Sequence, residues 1–168
     1  SKITFSGGGV AAFNTSAENL SELSKHLGIQ TIGFDKINQL RHVKFFGDAE
    51  GVKAHMELHR QILKPKFDAV LNALARELKP LGIGSWTEPQ GGYFVSFDAP
   101  CGCAKRVVQL CKEGGVTLTG AGATFPYQKD PDDRNIRIAP TYPSVDELEQ
   151  AMELFCISVK LAALEQLV

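Results

Sequence analysis

The sequence predicts an α+β chain: a small sheet covered by helices, preceded by a helical segment that has no sheet of its own. Three observations carry this. After Pro80 the pattern changes to short strand-like apolar runs bounded by glycine and proline. They alternate with helical patterns in the order strand, strand, helix, strand, strand, helix. The first 50 residues carry apolar faces at helical spacing and no strand pattern.

In chain order, residues 1–15 are irregular and glycine-rich, with Gly7, Gly8 and Gly9 in a row. Thr15 followed by Glu18 reads as a capping box, in which the hydroxyl accepts from the first turn and the carboxylate reaches back. Leu20, Leu23 and Leu27 then share one helical face, and Gly28 should end that helix. A second helix is expected over 36–46, with Ile37, Leu40, Val43 and Phe46 on one side and Gly47 as its stop. A long helical stretch covers about 51–79. Pro65 lies within it and should kink or break it, because proline lacks the backbone donor and crowds the preceding turn.

Beyond Pro80, Ile83–Thr87 and Tyr93–Phe97 read as strands joined by a proline–glycine loop. A helix over Cys103–Glu113 stops at Gly114, and strands are expected at Val116–Thr119 and Asn135–Ala139. Ser144 and Glu147 form a second capping box, opening a last helix with Val145, Leu148, Met152, Phe155 and Val159 on one face.

Composition narrows the function classes. The chain has 168 residues, 43% of them hydrophobic, and a net charge of -1. Its Lys and Arg are mixed with Asp and Glu, which argues against a nucleic-acid surface. No apolar run approaches the roughly 20 residues that span a bilayer, and the N-terminus shows no signal-peptide pattern. The chain opens at Ser1-Lys2 without Met and reads like the middle of something longer. Cys101, Cys103, Cys111 and Cys156 lack metal-ligand spacing and fit small apolar thiols in a reducing cytoplasm.

Lys2 is the first candidate for chemistry. It sits among Ser1, Thr4, Ser6 and three glycines. Hydroxyls and free amides can hold a phosphate, and lysine is the side chain that forms Schiff bases. Arg137 is the second. It alternates with Ile136 and Ile138, so a strand would turn it to the opposite face, where its fork could take a carboxylate. An ordinary surface arginine fits the same pattern. The loop Gly120–Tyr127 could line a cleft or be a plain connection. His55 and His59 share a helix face at i and i+4, but no third ligand accompanies them and no metal site is expected.

Together these pieces resemble the fold-type I pyridoxal-phosphate (PLP) aminotransferases of the class I/II group, closest to the bacterial aspartate aminotransferase subgroup related to MocR-type proteins. The segments that carry the resemblance are Ser1–Val10 (SKITFSGGGV), Lys36–Val43 (KINQLRHV), Pro89–Val95 (PQGGYFV), Gly115–Gly120 (GVTLTG) and Asn135–Pro140 (NIRIAP). Their order looks like the C-terminal part of the family. The resemblance implies that 1–50 is a fragment of the large PLP-binding domain. It implies that 51–168 comprises the interdomain helix and the C-terminal small domain.

It further implies that Lys2 carries the cofactor and moves the substrate proton, and that Arg137 clamps the substrate α-carboxylate. The enzyme would be a homodimer with sites at the subunit interface, acting on an amino acid, aspartate by preference, and a 2-oxo acid. Lys36 and Arg41 fall in the segment that would approach the partner subunit's site. Arg41 is the candidate for a distal carboxylate, although a solvated helix-face arginine fits equally well. Common class I members place a phosphate-binding arginine eight residues after the lysine; here that position is Val10, so the phosphate must be held elsewhere, with Ser1 and Ser6 as candidates. The other readings are the effector domain of a MocR-type regulator that senses PLP or an amino acid, and a non-catalytic fragment.

Overall fold

The computed structural model describes residues 3–167, which leaves Ser1, Lys2 and Val168 outside the described residues. The chain forms two compact units, Ser1–Arg60 and Gln61–Val168. The division falls inside the longest helix.

The first unit begins with a turn closed by the Gly8 N–H donating to the Phe5 carbonyl at 3.0 Å. Gly7 has φ +75°, a conformation that glycine adopts without a Cβ penalty. Helix α1 covers Ala17–Gln30. Its N-cap is Ser16, whose hydroxyl accepts from the Asn19 N–H, so the cap falls one residue later than the Thr15 box. Thr15 instead accepts from the Asn19 side chain at 3.4 Å. Gly28 stays helical, and the chain leaves α1 at Thr31, whose N–H still donates to Leu27.

Helix α2 covers Lys36–Phe46, capped by the Asp35 carboxylate and ended by Gly47 at φ +72°. The expected bounds and stop are both met. Phe5 lies against His42, Phe45 and Phe46 with ring centroids 4.8, 5.0 and 5.7 Å away. This aromatic cluster is the apolar centre of the unit, and neither α1 nor α2 contains a buried residue.

Helix α3 runs Ala49–Glu77 and continues through Pro65 without a break. The missing proline N–H would have donated to the Gln61 carbonyl. Gln61 is exposed, so water can satisfy that carbonyl and the helix tolerates the loss.

The second unit holds the main core. Strands β1 (Ser85–Trp86), β2 (Val95–Asp98) and β3 (Asn135–Ile138) form an antiparallel sheet in the order β1-β2-β3. Helices α4 (Ala104–Glu113) and α5 (Val145–Glu165) pack with it. Val95 and Phe97 of β2 and Ile136 and Ile138 of β3 turn inward. They meet Val70 and Leu74 of α3, Val107 and Cys111 of α4, and Leu148, Met152, Phe155 and Val159 of α5. The Phe97 and Phe155 rings sit edge to face at 5.1 Å. Gly84, at φ +86°, allows this packing, because a Cβ there would lie 2.6 Å from Phe97 Cζ.

The Ser144–Glu147 capping box forms in full, with Glu147 Oε2 accepting from the Ser144 N–H at 2.7 Å. Lys160 of α5 pairs with Glu77 of α3 at 2.7 Å, and Arg106 of α4 makes a two-pronged pair with Glu165. The strand expected at Val116–Thr119 does not form among the described residues. Val116 and Leu118 still pack on the core, in a segment that has no ladder partner there.

Candidate functional site

The candidate residues fall in both units, and each group is described by itself. Lys2 and Ser1 lie outside the described residues.

In the first unit, Ser6 is exposed on the glycine turn, and α2 faces that turn with a polar edge. Asn38 Nδ2 donates to the Gly8 and Gly9 carbonyls at 3.3 and 3.1 Å. Arg41 Nη2 donates to Asn38 Oδ1 at 2.8 Å, and the Arg41 guanidinium lies 5.0 Å from the centre of the Phe5 ring. A Cβ on Gly8 would run into Arg41 Nη2, so the glycine permits this approach. The structure therefore brings Ser6's turn and Arg41 together, with Asn38 as the link.

His42 adds a second tie to the same turn. Its Nδ1 lies 2.7 Å from the Asn38 carbonyl, which can only accept, so Nδ1 carries a proton. In the neutral ring, Nε2 then accepts from the Thr4 hydroxyl at 2.9 Å. Thr4, which lies two residues after Lys2 in the sequence, is thereby tied to α2. The sequence pattern missed Asn38 and His42. The i, i+3 spacing of Asn38 with Arg41 and its i, i+4 spacing with His42 were visible in the sequence, but contacts with residues some 30 to 40 positions earlier were not. A groove of about 570 Å³ lined by Ile3, Val10, His42 and Phe46 runs beside this region.

In the second unit, Arg137 leaves the sheet on the face opposite Ile136 and Ile138, as the alternation requires. It forms no ion pair among the described residues. Its Nε is buried and has no hydrogen-bond partner among them. The guanidinium carbon lies 4.5 Å from the centre of the Phe94 ring, inside the range of a cation–π contact. A buried donor without an acceptor is uncommon, and the guanidinium fork as a whole has the shape that takes a carboxylate. Phe94 went unrecognised in the sequence because the contact depends on strand register.

The same face of the sheet carries a polar network. Asn135 Nδ2 donates to Ser96 Oγ and Asp98 Oδ1 at 2.9 and 2.8 Å. Its Oδ1 accepts from the Thr124 hydroxyl at 2.6 Å, and its carbonyl accepts from the Gly122 N–H at 3.0 Å. The loop 120–127 is thereby fastened to β3 two residues from Arg137. Asp130 holds the start of β3 by accepting from the Asn135 and Arg134 N–H groups at 2.7 and 2.8 Å. These donors, the Asn135 N–H foremost, keep its carboxyl below the usual range.

No group of three metal-ligating side chains occurs among the described residues. His55 and His59 do share a face, with ring centroids 4.3 Å apart, and His55 packs edge-on against Phe45 and Phe46. No helix among the described residues is long and apolar enough to cross a membrane.

The sequence profile described as aspartate amino-transferase matches residues 1–168. An aspartate aminotransferase of Corynebacterium glutamicum is 50% identical over 165 residues, which are 98% of this chain and 38% of that protein. The crystal structure of an aspartate transaminase from the same species superposes with a TM-score of 0.86 at 49% identity, covering 92% of this chain and 36% of that one. A kynurenine aminotransferase of Pyrococcus horikoshii shares the fold, with a TM-score of 0.72 at 21% identity over 86% of this chain and 35% of that one. The chain thus spans less than two-fifths of the length of these relatives. With a profile match over its whole length and a fold that superposes on solved aminotransferases, this chain belongs to the aspartate aminotransferase family.

Proposed function

We propose that this chain is the C-terminal part of a PLP-dependent enzyme that transfers an amino group between aspartate and a 2-oxo acid, working as a homodimer in the cytoplasm. In this reading, residues 1–50 belong to the large cofactor-binding domain. Residues 51–168 are the interdomain helix and the small domain. The observation that carries the reading is Arg137: a half-buried guanidinium with an unpaired Nε, on a strand of a chain that matches the family along its whole length.

The residues present fit pyridoxal 5'-phosphate in their donor chemistry. Ser6 offers an exposed hydroxyl on a turn of glycine amides, a donor set suited to a phosphate, and Lys2 is close to it in sequence. Lys2, Ser1 and Ser6 would hold the group, Lys2 through its ε-amine. When bound, the cofactor supplies the electron sink that stabilises charge at the substrate α-carbon. Lys2 would move the proton at that carbon, and the His42–Thr4 and Asn38–glycine bonds hold Thr4, Gly8 and Gly9, which follow it in the sequence. Arg137 fixes the α-carboxylate with two parallel N–H bonds. Arg41 takes the distal carboxylate of aspartate, at the partner subunit's site.

The test uses the full-length enzyme. Borohydride reduction followed by peptide mapping should place the cofactor label on Lys2. Arg137→Lys should lower kcat/KM for aspartate by orders of magnitude while the cofactor absorbance persists. A label on another lysine refutes the Lys2 assignment, and near-normal kinetics of Arg137→Lys reduces Arg137 to a structural residue.

A further inference from the structure

We propose that Phe94 is a positioning residue for Arg137: its ring holds the guanidinium in place by the face and leaves the edge free for the substrate carboxylate. The inference rests on the carboxylate-binding reading of Arg137 given above.

The register of the sheet makes the contact. Ser96 of β2 pairs with Arg137 of β3. Phe94 precedes Ser96 by two residues, so it projects to the same face and becomes the diagonal neighbour of Arg137, within reach of a long side chain. The guanidinium carbon lies 4.5 Å from the ring centre.

The type of neighbour decides what Arg137 can do. An aspartate or glutamate would also immobilise the arginine, but it would occupy the in-plane N–H groups that a substrate carboxylate needs. A phenyl ring binds the π-face and competes for none of them. No protein acceptor among the described residues takes the Arg137 Nε. The ring also excludes water from one side of the cation, which strengthens a later ion pair. Arginine has many rotamers, and one fixed before binding loses less freedom on binding.

Phe94 is not one of the buried core residues. It is 40% exposed, whereas its strand neighbours Val95 and Phe97 are fully buried on the other face. Its role can therefore be tested apart from folding.

The experiment compares Phe94→Leu and Phe94→Tyr in the full-length holoenzyme. Phe94→Leu should raise KM for aspartate about tenfold with kcat changed less than about twofold, since a partly desolvated cation–π contact is of that size. Phe94→Tyr keeps an aromatic face and should restore KM. A second readout uses the 168-residue chain alone. The Arg137 Nε–H proton resonance, assigned through Arg137→Lys, should be shifted upfield by the ring, keep that shift in Phe94→Tyr and lose it in Phe94→Leu.

An unchanged KM in Phe94→Leu overturns the positioning role, as does a wild-type Nε–H shift in that variant. A fall in kcat at unchanged KM overturns it as well. If Arg137→Lys itself leaves KM for aspartate normal, the carboxylate reading fails first. A raised KM in Arg137→Lys beside a normal one in Phe94→Leu defeats the positioning role alone.

Discussion

Asn135 and Asp98 face each other across the β2–β3 ladder, and Asn135 Nδ2 donates to Asp98 Oδ1 at 2.8 Å. Asn135 is buried, and its amide also serves Ser96 and Thr124. Truncation would therefore strand three polar partners at once. Asn135→Ala should cost about 1–3 kcal/mol in the denaturant unfolding of the chain, the range for removing a buried amide and leaving partly buried partners unpaired. A loss below a few tenths of a kcal/mol would mean that water replaces the amide at no cost.

Asp130 gives the same strand a pH dependence. Its carboxyl is held below the usual range, chiefly by the Asn135 N–H. A depressed folded-state value stabilises the fold above the unfolded carboxylate pKa of about 4, and the benefit is lost as pH falls through the folded value. Asp130→Asn should therefore be less stable than the parent chain at pH 7, with the gap closing as pH drops below about 4. A gap that stays constant from pH 7 to 3 would show that the charge of Asp130 contributes nothing.

The thiols should separate by burial. Burial pushes Cys156 up to about 11 and also raises Cys103 and Cys111, whereas Cys101 is exposed. Thiolate is the reactive form, so a disulfide reagent at pH 8 should titrate one thiol quickly in the native chain and all four in denaturant. Rapid labelling at Cys156 would contradict the packing of α5.

Several of these relationships could be read from the sequence. The alternation around Arg137 placed it opposite Ile136 and Ile138, and the Ser144–Glu147 box and the Gly47 stop emerged where their chemistry puts them. Such signals are local: a cap, a period or a glycine acts within one turn. What stayed hidden was non-local. The Phe94–Arg137 contact needs the strand register, and the Asn38 bonds to Gly8 and Gly9 need a tertiary approach. Pro65 does not break the helix, and for a different reason: the cost of a proline depends on whether the abandoned carbonyl is wet, which a sequence window does not reveal.

Arg41 allows a test of substrate choice. Its guanidinium is tethered to Asn38 and stacked near Phe5, so its position is set before any ligand arrives. If it takes a distal carboxylate, Arg41→Ala in the full-length enzyme should lower kcat/KM for aspartate by about 10–100-fold, the size of a lost charge-assisted bond, and barely affect alanine, which has no such group. Equal losses on both substrates would remove Arg41 from substrate recognition.

The last prediction concerns the 168-residue chain on its own: it should fold in part and show no transamination. Among the described residues, the buried hydrophobic core lies at or beyond Val70, in the second unit. In the first unit, Ile29, Ile32 and Ile37 are 86%, 106% and 82% exposed, and α1 and α2 bury no residue. Most helical stability comes from packing an apolar face, so those helices lack the contact that would hold them. Catalysis needs the lysine amine held at near-attack distance, and a misplacement of about 1 Å can cost 10²-fold. Hydrogen exchange should therefore find slow amides in β2, β3 and α5 and fast ones throughout residues 17–46. An assay with PLP, aspartate and 2-oxoglutarate should give no turnover from the chain alone, whereas the full-length enzyme should turn over. Turnover by the isolated chain at about 1 per second or more would mean that these helices order themselves without further contacts and that the rest of the enzyme is dispensable for the chemistry.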